Sequence, residues 1–347
     1  MLFLSTLLYD TPYRIRSARN EKADHEEPGL YHAFAQPAFR RAQSVRCVIL
    51  VTVIHNIPPT HAFRDEPADS PIAQIALRVL VEFEGGETHV VGTATLIAGH
   101  LAITARHVVD YVVRRFGARQ NRPNIAEIRD FAIRLYQVLS GPVYRVWNVY
   151  AAWFCETDIA ILHLGLFKTS DPNGVIDWKV PALRCMPPPV GDKVIAFGYR
   201  ESVPTITPLQ DGGCHLELQD KPTTSFGEVK RIYPERRDTV MLSFPCFEVN
   251  ARFDPGMSGG LVVDAFGAVS GLVCSTLPAS ADREATSHIV TLWPMLRTLI
   301  SADRAGKYPK GVTYPVIDLA LDGLITVIDL GSLNPNDFPG RTLPRAT

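Results

Sequence analysis

From position 72 onward the chain is a succession of short runs rich in Val, Ile, Leu, Phe and Tyr, each ended by Gly, Pro or Asp. Runs this short, without sustained helical spacing, bury an apolar face only by pairing with neighbours, so they select an all-β barrel or sandwich. Six candidates, 75–83, 90–97, 101–104, 131–138, 143–150 and 159–164, precede a linker at about 168–189. Six more follow at 193–198, 213–218, 227–232, 240–244, 260–263 and 268–275. The grouping predicts one β unit at about 72–167 and a second at about 190–292.

Two stretches break the pattern. Residues 108–116 carry apolar side chains at helical spacing directly after His107, and 293–305 reads as a terminal helix with Pro294 in its first turn. The first 71 residues form an N-terminal extension: a charged, aperiodic tract at 14–27, a strand candidate at 46–54, and a breaker segment at 57–70 containing Pro58, Pro59 and Pro67. In a C-terminal extension, 306–347, the runs 311–319 and 323–330 predict a hairpin and the tail from 334 an irregular segment.

Composition narrows the function classes. Lys plus Arg number 35 against 36 Asp plus Glu, so no global field favours nucleic acid or an anionic membrane. No run reaches the roughly 18 apolar residues needed to span a bilayer. Six scattered cysteines with no C-x-x-C pair suit small buried hydrophobes in a reducing compartment, which predicts a soluble, cytoplasmic protein. His55 and His61 lack acidic or cysteine company, and no G-K-[ST] loop occurs, so neither a metal nor a cofactor is expected.

Three motifs carry chemistry. Gly256-Met257-Ser258-Gly259-Gly260 presents a hydroxyl on a glycine-lined bend, where an acyl group can approach without meeting a Cβ and backbone N–H groups can face a developing oxyanion. Upstream, Thr104-Ala105-Arg106-His107 offers a general base and Asp158-Ile159-Ala160-Ile161 a carboxylate. The order His, Asp, Ser is one of those in which a nucleophile, a base and an orienting acid recur on a β scaffold.

These segments resemble the T-A-x-H, D-I-A-L and G-x-S-G-G motifs of the chymotrypsin-like (trypsin-like) serine peptidases, and more closely the bacterial, disulfide-free members. The resemblance spans roughly 75–305 and leaves both ends unmatched. It implies two six-stranded antiparallel β-barrels with a C-terminal helix and the site between them. It also implies His107, Asp158 and Ser258 as catalytic residues, an oxyanion hole from the N–H groups of Gly256 and Ser258, and a protein or peptide substrate. The family's primary pocket maps onto Arg252, Cys274, Ser275 and Thr276. If Arg252 faces that pocket it disfavours Lys or Arg in the substrate by like-charge repulsion; the alternative is an Arg pointing to solvent. Two departures stand out. Val108 replaces the cysteine that secreted members carry beside the histidine, and Met257 replaces the aspartate that pairs with a new N-terminus on activation. Regulation is therefore expected from the terminal extensions or from a protein partner bound through them.

Two rivals accompany this reading. The same fold can serve as a catalytically dormant binding module. The motif also satisfies G-x-S-x-G, the elbow of an α/β-hydrolase, whose later Asp and His would have to be Asp282 and His288.

Overall fold

A computed structural model describes residues 5–9, 46–48, 63–82, 88–116, 119–122, 124–128, 133–140, 143–171, 179–208, 214–277, 286–301 and 311–344. The first unit is built from β1 (Ala76–Glu82), β2 (Thr88–Ala98), β3 (Leu101–Ala105), β4 (Ile133–Ser140), β5 (Val143–Phe154) and β6 (Ile159–Thr169). They pair antiparallel in the order β6-β3-β2-β1-β4-β5, and β5 pairs back onto β6, closing a barrel. The second unit comprises β7 (Lys193–Pro208), β8 (Cys214–Tyr233), β9 (Cys246–Val249), β10 (Leu261–Val263), β11 (Val269–Leu277) and β12 (Thr286–Thr291). Its order β8-β7-β10-β11-β12-β9 closes through β9 on β8. The protein is all-β with two six-stranded antiparallel barrels. Among the described residues both large sheets are antiparallel and the one parallel strand pairing, Arg46–Val48 with Lys179–Pro181, has two short strands, which is not the parallel sheet of an α/β-hydrolase, and that reading falls.

Period-2 alternation explains how each barrel fills. In β12, Ile289 points into the second barrel with Val194, Val229, Phe247 and Val273, while its neighbour Val290 joins an outer cluster. The first barrel is filled by Leu77, Val79, Leu96, Leu135 and Trp147, and is capped by Val109 and Val112 of α1 (Arg106–Phe116). Each fully buried side chain of this kind is worth about 1.5–3 kcal/mol relative to exposure.

Several elements depart from the sequence-based expectation. The runs at 213–218 and 227–232 are one continuous strand, β8. The polar tract between them reads as a loop, but Thr223 and Thr224 satisfy their hydroxyls on Lys221 O and Arg64 O, and Asp220 pairs with Arg78. Residues 240–244 are a loop, because the Asp238 carboxylate collects the amides of Val240, Met241 and Leu242 into a turn. The two remaining strands are β9 and β12, neither of which the sequence runs included; in β12 a Ser and a His obscure the alternation. The expected terminal helix shrinks to a 3₁₀ turn, Trp293–Arg297, followed by the short strand Leu299–Ile300. The expected hairpin after 311 is partly α2 (Val316–Leu321), since Val316, Ile317, Leu319 and Ala320 share one helical face. Residues 49–54, which complete the strand candidate at 46–54, and the pair His55 and His61 lie outside the described residues.

Two features lock the barrels together. Arg78 on β1 is buried, chelates Asp220 on β8 (Nη2 to Oδ1 3.1 Å), and lies 3.9 Å over the Tyr199 ring. The segment after 311 contributes Tyr314, Ile317, Leu319 and Phe338 to the same core as Ile103 and Ile161 of the first barrel and Leu261 and Leu272 of the second. Asp329 then ties the linker, accepting the amides of Cys185 and Met186 at 2.8 Å each. The C-terminal extension is thus integral to the packing.

Candidate active site

The edge-to-edge pairing of β3 with β6 places Ala105 opposite Ile159, so the residues that follow one strand and precede the other share one end of the first barrel. There Arg106 N donates to Asp158 O at 3.1 Å, and His107 N donates to Asp158 Oδ1 at 3.0 Å. The other carboxylate oxygen, Oδ2, lies 2.8 Å from His107 Nδ1. Held at backbone and ring alike, the imidazole carries its proton on Nδ1 when neutral, which leaves Nε2 as the basic nitrogen. Burial works against a charged ring. The hydrogen bond and negative charge of Asp158, with a further contribution from Asp110, outweigh it and raise the His107 pKa above 6.5.

Ser258 comes from the second barrel, on the bend between β9 and β10. Gly256 and Gly259 flank it at φ +93° and +78°, conformations that glycine adopts freely. A Cβ at Gly259 would collide with Thr104 Oγ1 and Thr93 O, and lie 2.7 Å from Ala105 N. That contact seats the bend directly against the end of β3, two residues before His107. Thr93 on β2 fastens it: its amide donates to Ser258 O at 2.9 Å and its hydroxyl to Gly256 O at 2.9 Å.

The amides of Met257, Gly259 and Gly260 donate to Asp254 O, Val273 O and Met257 O. Those of Gly256 and Ser258 donate to no acceptor among the described residues, so these two remain available to an incoming oxyanion. The Ser258 hydroxyl, half-buried, makes no hydrogen bond to His107 among the described residues. Beside the imidazole an open cavity of about 380 Å³ is lined by His107, Asp110, Tyr111 and Arg114 on successive turns of α1.

Of the residues mapped to a substrate pocket, Cys274, Ser275 and Thr276 follow one another on β11, and Arg252 lies on the segment between β9 and β10. Arg252 is exposed, pairs with Asp254 Oδ1 at 2.9 Å, and lies over the Phe63 ring. Cys274 directs its thiol at Asp158 Oδ2, 3.1 Å away. Ser275 is half-buried opposite His288, and Thr276 shares a 3.1 Å hydroxyl contact with Ser287, which donates to Ala251 O at 2.6 Å. Sequence reasoning gave Thr93 no role at the site and missed the Asp158 contact of Cys274, because the partners stand 163 and 116 positions away. Among the described residues no group of three or more His, Cys, Asp or Glu could hold a metal ion.

A family profile described as a trypsin-like peptidase domain matches residues 92–272. No curated protein sequence matches the chain. Among solved structures, the active form of the Rv3671c protease from M. tuberculosis is similar at 15% identity over 79% of this chain and 98% of its own, with a TM-score of 0.42. The HtrA-type protease AlgW with a decapeptide is similar at 16% identity over 65% of this chain and 62% of its own, TM-score 0.38. The MamO protease domain from Magnetospirillum magneticum matches at 14% identity over 64% of this chain and 93% of its own, TM-score 0.37.

Proposed function

The chain belongs to the trypsin-like peptidase family, and from that premise we propose that it is a serine endopeptidase using His107, Asp158 and Ser258. The observation that carries the reading is the two-point hold of Asp158 on His107, through the backbone amide and Nδ1, with the Ser258 bend docked on the adjoining strand end. Ser258 Oγ attacks the scissile carbonyl carbon as its proton passes to His107 Nε2. The carbonyl oxygen, now negative, is received by the N–H groups of Gly256 and Ser258. Collapse of the adduct breaks the C–N bond, and the imidazolium returns the proton to the departing amine. Water, deprotonated by the same imidazole, then hydrolyses the acyl-enzyme and restores the Ser258 hydroxyl. Asp158 stays ionised throughout, orienting the ring and stabilising its cation. Each oxyanion donor is worth on the order of 100-fold in rate.

A dormant binding module is the second reading, favoured by the lack of a Ser258–His107 hydrogen bond. Labelling with a fluorophosphonate decides between them. Wild-type protein that labels, with Ser258→Ala that does not, supports the peptidase; a folded wild type that never labels sinks it.

A further inference from the structure

The geometry points to Phe63 as a positioning residue for the oxyanion bend, supplied by a segment that lies outside the peptidase match; this rests on the peptidase reading above. The strand Phe63–Asp65 adds antiparallel to β8 at Thr223–Ser225, and is pinned there by Glu66 N on Pro222 O at 2.8 Å and by Thr224 Oγ1 on Glu66 Oε1 at 3.1 Å. Phe63, packed on the second barrel's core, thereby offers its ring to two guanidinium groups, Arg200 at 4.1 Å and Arg252 at 5.2 Å from the ring centre. Both arginines grip one carboxylate: Arg200 Nη1 donates to Asp254 Oδ2 at 3.0 Å and Arg252 Nε to Asp254 Oδ1 at 2.9 Å. Arg200 is further fixed by Thr223 Oγ1 at 3.1 Å.

Asp254 stands two residues before Gly256, and its carbonyl accepts the Met257 amide that closes the bend. The chain of contacts runs from Phe63 through a pair of stacked guanidiniums to Asp254, and from there to the two free amides. Arg200 and Asp254 are largely shielded from water, so their attraction is less screened than that of a surface pair. The ring quadrupole attracts each cation and restrains the guanidinium that faces it. Met257 lacks the carboxylate that would otherwise anchor this bend from within, and the Phe63 clamp does the anchoring from outside. Removing the ring takes one support from each arginine, leaving their bonds to Asp254 and that of Arg200 to Thr223, and loosens the orientation of the peptides around Gly256 and Ser258.

The experiment uses the full chain with Phe63→Ala, Phe63→Tyr and Arg252→Gln, the last an exposed arm of the clamp that can be cut without touching the core. Fluorophosphonate labelling rate, kcat and KM on fluorescent casein, thermal midpoint, and amide exchange at 254–258 are read together. The clamp predicts that Phe63→Ala slows labelling and kcat by about tenfold with KM little changed, that Phe63→Tyr restores them to within about threefold, and that Arg252→Gln falls between. Faster exchange in Phe63→Ala is expected at 254–258 and at the adjoining edge of β8, not across the first barrel. Unchanged labelling and exchange in folded Phe63→Ala, or in Arg252→Gln should the first not fold, overturns the clamp. If wild type itself fails to label, the peptidase reading is lost, and local exchange alone still decides whether Phe63 holds the bend.

Discussion

Cys274 directs its thiol at Asp158 Oδ2, the same oxygen that faces His107 Nδ1; the two contacts measure 3.1 and 2.8 Å. Burial, reinforced by the negative charge of Asp158, pushes the Cys274 thiol well above its ordinary pKa of 9.0, so it keeps its proton at neutral pH and donates it. Asp158 is therefore held by two side chains and one amide.

That arrangement predicts graded effects at Cys274. Serine preserves a donor and keeps kcat/KM within about threefold, whereas alanine strips it from a carboxylate and lowers kcat by about 3- to 10-fold. Steady-state kinetics on casein checks this; an alanine variant as active as wild type shows that the thiol is only packed there.

Asp158 also sets the pH response. A base must be neutral to accept a proton, and the His107 pKa is raised, so the acid limb of kcat/KM in wild type lies above pH 6.5. In Asp158→Asn the two largest raising influences disappear, while burial and the smaller contribution of Asp110 remain. The limb moves downward, and the rate at neutral pH falls by on the order of 10⁴ because the ring is no longer held in the productive tautomer. A pH–rate profile measures both.

Across the barrels, Arg78 and Asp220 are an interdependent buried pair. Removing one partner leaves an unpaired charge beneath Tyr199, and Asp220→Ala costs about 3–5 kcal/mol of unfolding free energy. Urea unfolding reads it. A cost below about 1 kcal/mol would mean that water reaches the freed guanidinium.

His288 supplies an acid sensitivity independent of catalysis. It is fully buried on the outer face of β12, and burial, with the nearby Arg237 charge, lowers its pKa to about 4 against the opposing charges of Glu248 and Asp238. The unfolded chain, with a pKa near 6.5, takes up this proton first as pH falls. The contribution is complete above pH 6.5 and is lost progressively between 6.5 and 4, amounting to about 3 kcal/mol. Unfolding at pH 7 and at pH 4.5 should therefore show a larger loss in wild type than in His288→Gln; equal losses contradict the assignment.

The first barrel was the more legible of the two because its strands are apolar enough to announce themselves. Β-strand tracts such as Ile159-Ala160-Ile161-Leu162 admit little else once turn residues bound them. The second barrel hid β8 behind Asp220-Lys221-Pro222, a strand-breaking tract in which Asp220 pairs with Arg78, 142 positions away, and Pro222 O accepts from Glu66 N in a separate segment. Helix and strand were confused at 316–321, where six residues are too few for their period to be read.

From the sequence alone came the glycine-flanked serine, the histidine at a strand end and the aspartate before an apolar run, since the backbone freedom and side-chain chemistry of each are local properties. Tertiary structure alone decided that Thr93 fastens the Ser258 bend, that the Cys274 thiol meets Asp158, and that Phe63 reaches the Ser258 bend through Arg200, Arg252 and Asp254. Those contacts join residues from separate strands and both barrels. Their partners are chosen by sheet register and burial, which no short stretch of sequence encodes.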